Sequence, residues 1–142
     1  MANANAVAVI IELLGWPKGL PVRYTIANGS AGTDIPEGTL MKISDPRTIA
    51  ATSADNDAFA GILCKEKEGG DGSTNASVYT YGIFDLEQLT GVTATAGEKC
   101  SIGGANIISK VAAADLLFAD VGIYLENASA EEIVAVLVTP GA

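Results

Sequence analysis

Apolar positions along this chain come in short runs, separated by clusters of Gly, Asn, Asp, Ser and Pro. Such spacing is the pattern of many short strands joined by turns. Val22–Ala27, Leu40–Ile43, Thr48–Ala51, Gly61–Lys65, Ser77–Leu86, Thr90–Ala94, Lys99–Ile102, Ile107–Val111, Val121–Glu126 and Ile133–Thr139 read as strands. Their β-branched and aromatic content suits a pleated, half-buried surface. Asn28–Pro36, Asp45-Pro46-Arg47, Gly103-Gly104-Ala105-Asn106 and Asn127–Glu132 read as turns or loops. Gly82 interrupts the apolar run of Ser77–Leu86. Ser53–Asp57 is suited to cap a short helix or turn, and Ala112–Phe118 is the best helical segment. The pattern predicts one mostly β domain, closed into a barrel or compact sandwich so that its edges are hidden. A solenoid is excluded, because no period of the required length is visible.

The first 20 residues read as an arm set apart from a β-rich body at 21–142. MANANA is small and polar, and Gly15, Pro17, Gly19 and Pro21 break regular structure ahead of the first body strand. Between them, Val7, Val9 and Ile11 alternate with Ala8, Ile10 and Glu12, as in an extended strand; a short helix over Ala6–Leu14 fits the same residues. Val7, Val9, Ile10, Ile11, Leu13, Leu14 and Trp16 form an apolar run that needs cover, either on the protein's own body or on a partner's sheet edge. No Lys or Arg precedes the run, Glu12 interrupts it and Trp16-Pro17-Lys18 follows it, so it does not read as a secretory leader; it is also too short to span a bilayer.

Composition narrows the function classes. At 142 residues the chain fits one domain with a real core. Charged residues make up only 18%, against about 25% in ordinary globular proteins, which favours a surface partly hidden in an assembly. The formal net charge is −9, and the basic residues form no patch or run. Such a surface repels nucleic-acid phosphate and an anionic membrane, and the expectation is neither partner.

Candidate chemistry is sparse. The chain has no histidine, so the commonest general base and the usual nucleophilic triad are missing, and a zinc site lacks ligands. Cys64 and Cys100 stand far apart among apolar neighbours and read as buried free thiols, with a disulfide the alternative. Asp85 and Glu87 share one strand face at period two, which suits either a carboxylate pair or, better, a solvated strand end. Asp55-Asn56-Asp57 lacks the spaced ligands of a calcium loop and reads as an Asx-type turn. The loop Glu66–Asn75, EKEGGDGSTN, fits no phosphate-binding pattern and reads as a flexible hairpin loop. Asn28, Asn75 and Asn127 begin Asn-x-Ser sequons that carry little weight without a leader. The expectation is a protein with no enzymatic activity, cofactor or metal.

One stretch adds a resemblance. Gly38-Thr39-Leu40-Met41 precedes a short strand; then come Ala60-Gly61-Ile62-Leu63, an acidic loop ending in Ser73-Thr74, and Tyr81-Gly82-Ile83-Phe84 ahead of Leu89. Over Pro36–Leu89 this resembles the head-decoration proteins of lambda-type tailed phages. Ala96-Gly97-Glu98 and the closing pair from Gly122 to Val138 are similar to a broader group of phage head-decoration proteins. The resemblance implies a compact β-barrel or β-tulip-like domain with one or two short helices and an extended N-terminal arm. It also implies a capsid decoration (cement) protein on the outer capsid surface of the virion, made in the host cytoplasm. There it would sit as a homotrimer at three-fold and quasi-three-fold positions of the expanded shell, with the major capsid protein as partner. The arm residues from Val7 to Leu14, with Trp16, are then the candidate capsid contact. The N-terminus itself departs from the lambda-type pattern. Rival readings are a virion fibre or baseplate component and an extracellular β-sandwich binding module; the second predicts a secretion signal and more exposed aromatics than 6% allows.

Overall fold

The computed structural model describes residues 20–112, 119–129 and 133–139. The arm residues Val7, Val9, Ile10, Ile11, Leu13, Leu14 and Trp16 lie outside the described residues, as does the expected helix beyond Ala112. Ten strands are present among the described residues: β1 (Val22–Ile26), β2 (Leu40–Asp45), β3 (Thr48–Ala51), β4 (Phe59–Leu63), β5 (Asn75–Tyr79), β6 (Gly82–Glu87), β7 (Lys99–Gly104), β8 (Ile107–Lys110), β9 (Asp120–Tyr124) and β10 (Ile133–Val138). The fold is mostly β, as the turn spacing predicts. Strands β1-β3-β2-β4-β5 close into a barrel, and β6-β10-β9-β7-β8 form a second, antiparallel sheet. Closure removes the first sheet's edges. In the second sheet, Leu89 N donates to Ile108 O at 2.8 Å just past β6, which draws its two edge strands together at one end.

Three expectations need correction. Ser77–Leu86 is not one strand: β5 belongs to the barrel and β6 to the second sheet. The chain crosses over at Gly82, whose φ of 154° is a conformation that side-chain-bearing residues rarely adopt. Gly61–Lys65 begins too late, since Phe59 and Ala60 are already in β4 while Cys64 and Lys65 bend away. Thr90–Ala94 is a loop, closed by Val92 N on Leu89 O and touching strand pairing only at Ala94, which bridges Ala128. Ser53–Asp57 resolves as a turn rather than a helix.

Every residue of β4 is buried. Two cores share the strand: a register shift against β2 between Phe59 and Gly61 breaks strict alternation, and Ala60 and Leu63 join Val22, Ile26, Met41, Ile49 and Val78 inside the barrel. Phe59 and Ile62 join Leu40 on the barrel's outer wall, packed with Leu86, Ile102, Tyr124, Val134 and Val136 of the second sheet. A strand buried on both faces reads as a continuous apolar run, and FAGIL does. The barrel wall is thus shared between two cores. Within the second core, the Tyr124 hydroxyl donates to Gln88 Oε1, satisfying two fully buried polar groups.

Carboxylates tie several turns. Burial works against ionisation of Asp57, but bonds from Ser53 N (2.7 Å), Ala54 N (2.9 Å) and Lys42 outweigh it and hold its pKa below the usual value. Lys67 and Ser73 N hold Asp71 low, and Lys110 and Thr95 N hold Glu98 low. A carboxylate with a lowered folded pKa contributes stability that is present above its unfolded pKa and is lost as pH falls through the folded one. Urea midpoints are therefore expected to be flat around neutrality and to fall below about pH 4. Asp57→Asn is expected to shrink that drop; an unchanged acid profile in that variant would remove Asp57 from the account.

Candidate interaction surface

The second sheet turns one face to the barrel and the other to solvent. Register places Ile83, Leu137, Ile123 and Lys99 in one row across β6, β10, β9 and β7. Asp85 is paired with Ala135, and Glu87 with Ile133, in the rows beside it. This outer face carries exposed apolar side chains: Ile83 on the edge strand β6 is 66% exposed, Ile133 at the start of β10 64% and Leu125 just past β9 42%. Tyr81 is exposed where the chain enters β6. Scattered single apolar residues are ordinary on a surface, but a contiguous group on one sheet face marks an interaction site.

The first and last described residues flank the crossover into β6. Val22 pairs with Val78, and β1 runs antiparallel to β5. Extending that register carries Leu20 alongside the end of β5, next to the crossover into β6. Thr139 follows Val138, which pairs with Gly82 at the same crossover. Leu20 is 58% exposed.

The acidic loop is held more firmly than its composition suggests. Lys67 is buried, and its ammonium donates to Asn28 O (3.1 Å), Glu68 O (2.7 Å) and Asp71 Oδ1 (2.6 Å), using all three protons. Gly70 N and Gly72 N donate to Asn28 O and Asn28 Oδ1, and Gly69 N to Asp34 Oδ1. Loops 28–36 and 66–75 thus interlock, in place of the expected flexible hairpin loop. A cavity of about 580 Å³ beside them is lined by Arg23, Cys64, Glu66, Lys67, Asp71 and others. Its buried cation, Lys67, is already fully bonded within the loops.

Other candidate residues also take structural positions. Asp85 and Glu87 do lie on one face of β6, both exposed, on the margin of the apolar patch. The Asp55-Asn56-Asp57 segment is a turn in which Asp57 accepts bonds from Ser53 and Ala54 and Asn56 N donates to Ile102 O. Asn127 Oδ1 accepts from Ala96 N. Both cysteines are free, Cys100 fully buried and Cys64 half-buried. Burial raises both thiol pKa values, that of Cys100 to about 12, which keeps them protonated at neutral pH.

A closed five-stranded barrel sharing a wall with a five-stranded sheet is the class of protein that these elements define. A solved structure with this fold, the N base of the head fibre gp8.5 of bacteriophage phi29, is similar over 85% of this chain and 96% of its own, with a TM-score of 0.50 and 17% identity. At that identity the likeness is one of fold. No protein-family model matches the chain, and no curated protein does.

Proposed function

We propose that this chain is a structural protein of a phage virion, bound to the outside of the expanded icosahedral head. The observation that carries the reading is the fold shared with a phage head-fibre base over most of both chains. The sequence resemblance to lambda-type decoration proteins points the same way, and its motifs occupy defining positions of the fold. Ala60-Gly61-Ile62-Leu63 lies in the doubly buried β4, Tyr81-Gly82-Ile83-Phe84 makes the crossover, and Gly122 to Val138 spans β9 and β10. In this reading the protein has no enzymatic activity and needs no cofactor or metal. It sits as a trimer at three-fold and quasi-three-fold positions and cements neighbouring major capsid subunits against the pressure of packed DNA. Each copy adds its arm, Val7 to Leu14 with Trp16, to a strand edge of the major capsid protein. Three modest contacts on one trimer give avidity without a strong single site. The net charge of −9 keeps unbound copies soluble.

A second reading, a fibre component of the virion, is favoured by the neighbour's being the base of a fibre. Electron microscopy of virions assembled with and without the chain separates the two. Knobs at three-fold positions that vanish on omission are the expected result, and a chain lacking residues 1–14 is expected to fold but leave the shell bare. Rods that vanish instead favour the fibre reading. Density only on the tail, or none on the particle, rejects a place on the head.

A further inference from the structure

The two interlocked loops, which the proposed function does not use, carry the chain's two succinimide-forming pairs, Asn28-Gly29 and Asp71-Gly72. A glycine after Asn or Asp lets its amide nitrogen swing onto the preceding side-chain carbonyl, because no Cβ obstructs the approach. The fold sets these pairs against each other. Gly72 N donates to Asn28 Oδ1 at 2.7 Å, so the nitrogen that would attack Asp71 is bound to the carbonyl that Gly29 N would attack. Lys67 Nζ and Gly70 N donate to Asn28 O at 3.1 and 3.0 Å. Lys67 Nζ and Ser73 N donate to Asp71 Oδ1 at 2.6 and 2.8 Å. Both carbonyls of Asn28 are thereby tied to the opposite loop.

The backbones of the loops touch as well. A Cβ at Gly69 would lie 2.1 Å from Ser30 O and 2.9 Å from Thr33 N, and one at Gly70 would lie 3.1 Å from Ala31 N. Gly29 has φ 75°, in the left-handed region, so the turn itself favours glycine after Asn28. Ring closure at Asn28 rotates its side chain and the peptide that follows. The first motion gives up the bond from Gly72, and the second those from Lys67 and Gly70. Lys67 is buried, so its ammonium has little water to take the place of a lost acceptor. Reaction at Asn28 therefore waits on opening of the loops.

We propose that Asn28-Gly29 is a modification site, converted to isoaspartate only when the loops part, and that conversion stops them from closing again. Gly29 N bonds to Asn28 Cγ as the Cγ–Nδ2 bond breaks, and Nδ2 leaves as ammonia with the proton given up by Gly29 N. Solvent water then opens the succinimide. Cleavage between Gly29 N and the main-chain carbonyl carbon of residue 28 gives isoaspartate. The chain then runs through Cβ and Cγ and is one backbone atom longer, by about 1.5 Å. Ser30 and Ala31 lie against the backbone at Gly69 and Gly70, which leaves no room for that displacement. Cleavage at Cγ gives ordinary aspartate instead, which keeps the backbone and an acceptor for Gly72 N. One product breaks the interlock and the other preserves it.

Mass spectrometry of the full chain, incubated in mildly alkaline buffer, follows isoaspartate at residue 28 beside a synthetic peptide of residues 22–34, which has the same pair without the fold. The protein is expected to convert at least about tenfold more slowly than the peptide, because only the open fraction reacts. Lys67→Met and Gly69→Ala disturb the interlock through different contacts, and each is expected to raise the rate severalfold toward that of the peptide. Thermal midpoints above the incubation temperature show that each variant is folded while it reacts. Amide exchange at Gly70 and Gly72 is expected to speed up in the isoaspartate fraction and to stay slow in Asn28→Asp. Four results overturn the proposal: conversion of the protein at the peptide's rate, no isoaspartate at residue 28 in either variant, rates that neither variant raises, or an isoaspartate fraction whose loop amides remain protected.

Discussion

Gly122→Ala is expected to cost about 3 kcal/mol or more and to dismantle the centre of the second sheet. Gly122 lies in β9, paired with Val138 on one side and Cys100 on the other. A Cβ at this position would sit 1.9 Å from Leu137 O, 2.9 Å from Leu137 C and 3.0 Å from the Val138 Cα. All three are backbone atoms of β10, so no side chain can turn aside; the strand itself must move. Moving β10 disturbs Val134, Val136 and Val138, which are fully buried in the core shared with the barrel. Urea unfolding measures the cost, and amide exchange locates it, with lost protection expected in β9 and β10 before β1 and β5. A variant within 1 kcal/mol of the parent would mean that β9 and β10 can separate without disturbing the core.

Much of this architecture is legible in the amino-acid order, and the failures have physical causes. The strands came from runs bounded by turn residues, and that local signal survives wherever a turn is closed by its own chemistry, as at Asp45-Pro46-Arg47. The split of β5 from β6 is invisible locally, because Ser77 to Leu86 is strand-forming on both sides of Gly82; only the pairing partners, Val22 for Val78 and Val136 for Phe84, show that it serves two sheets. The loop 66–75 reads as solvent-facing because its residues are polar and small. Its order depends on Lys67 meeting the carbonyl of Asn28, a contact across 39 positions. The apolar face was missed for a related reason. In Ile133 to Val138 both parities are apolar, so alternation does not say which side faces water. The signal available was that Ile83 shares its strand with Asp85 and Glu87, which marks the parity of Ile83 as the outer one. The arm is legible as an apolar run that needs cover, and its residues lie outside the described residues.

Asn106→Ala is expected to destabilise the protein by about 2–4 kcal/mol by unfastening the barrel from the second sheet. Asn106 sits at the tip of the β7–β8 hairpin with φ 57°, a left-handed conformation that Asn adopts more readily than most residues. Its Oδ1 accepts from Leu40 N at 2.9 Å, and its own N–H donates to Thr52 Oγ1 at 2.9 Å. Leu40 is almost fully buried and belongs to the core between the sheets, so its N–H has little water to turn to when the amide is removed. Alanine loses the acceptor and strains the turn together. Glycine separates the two effects: Asn106→Gly keeps the turn and loses only the acceptor, and is expected to cost about 1–3 kcal/mol. Asn106→Asp keeps an acceptor and tolerates the same backbone, and is expected to stay closest to the parent. The order Asp, Gly, Ala in denaturant midpoints at neutral pH is the check. If glycine matches the parent, the Leu40 bond contributes nothing to stability. If glycine matches alanine, backbone strain at the tip is negligible and the loss of the Leu40 bond accounts for the whole effect.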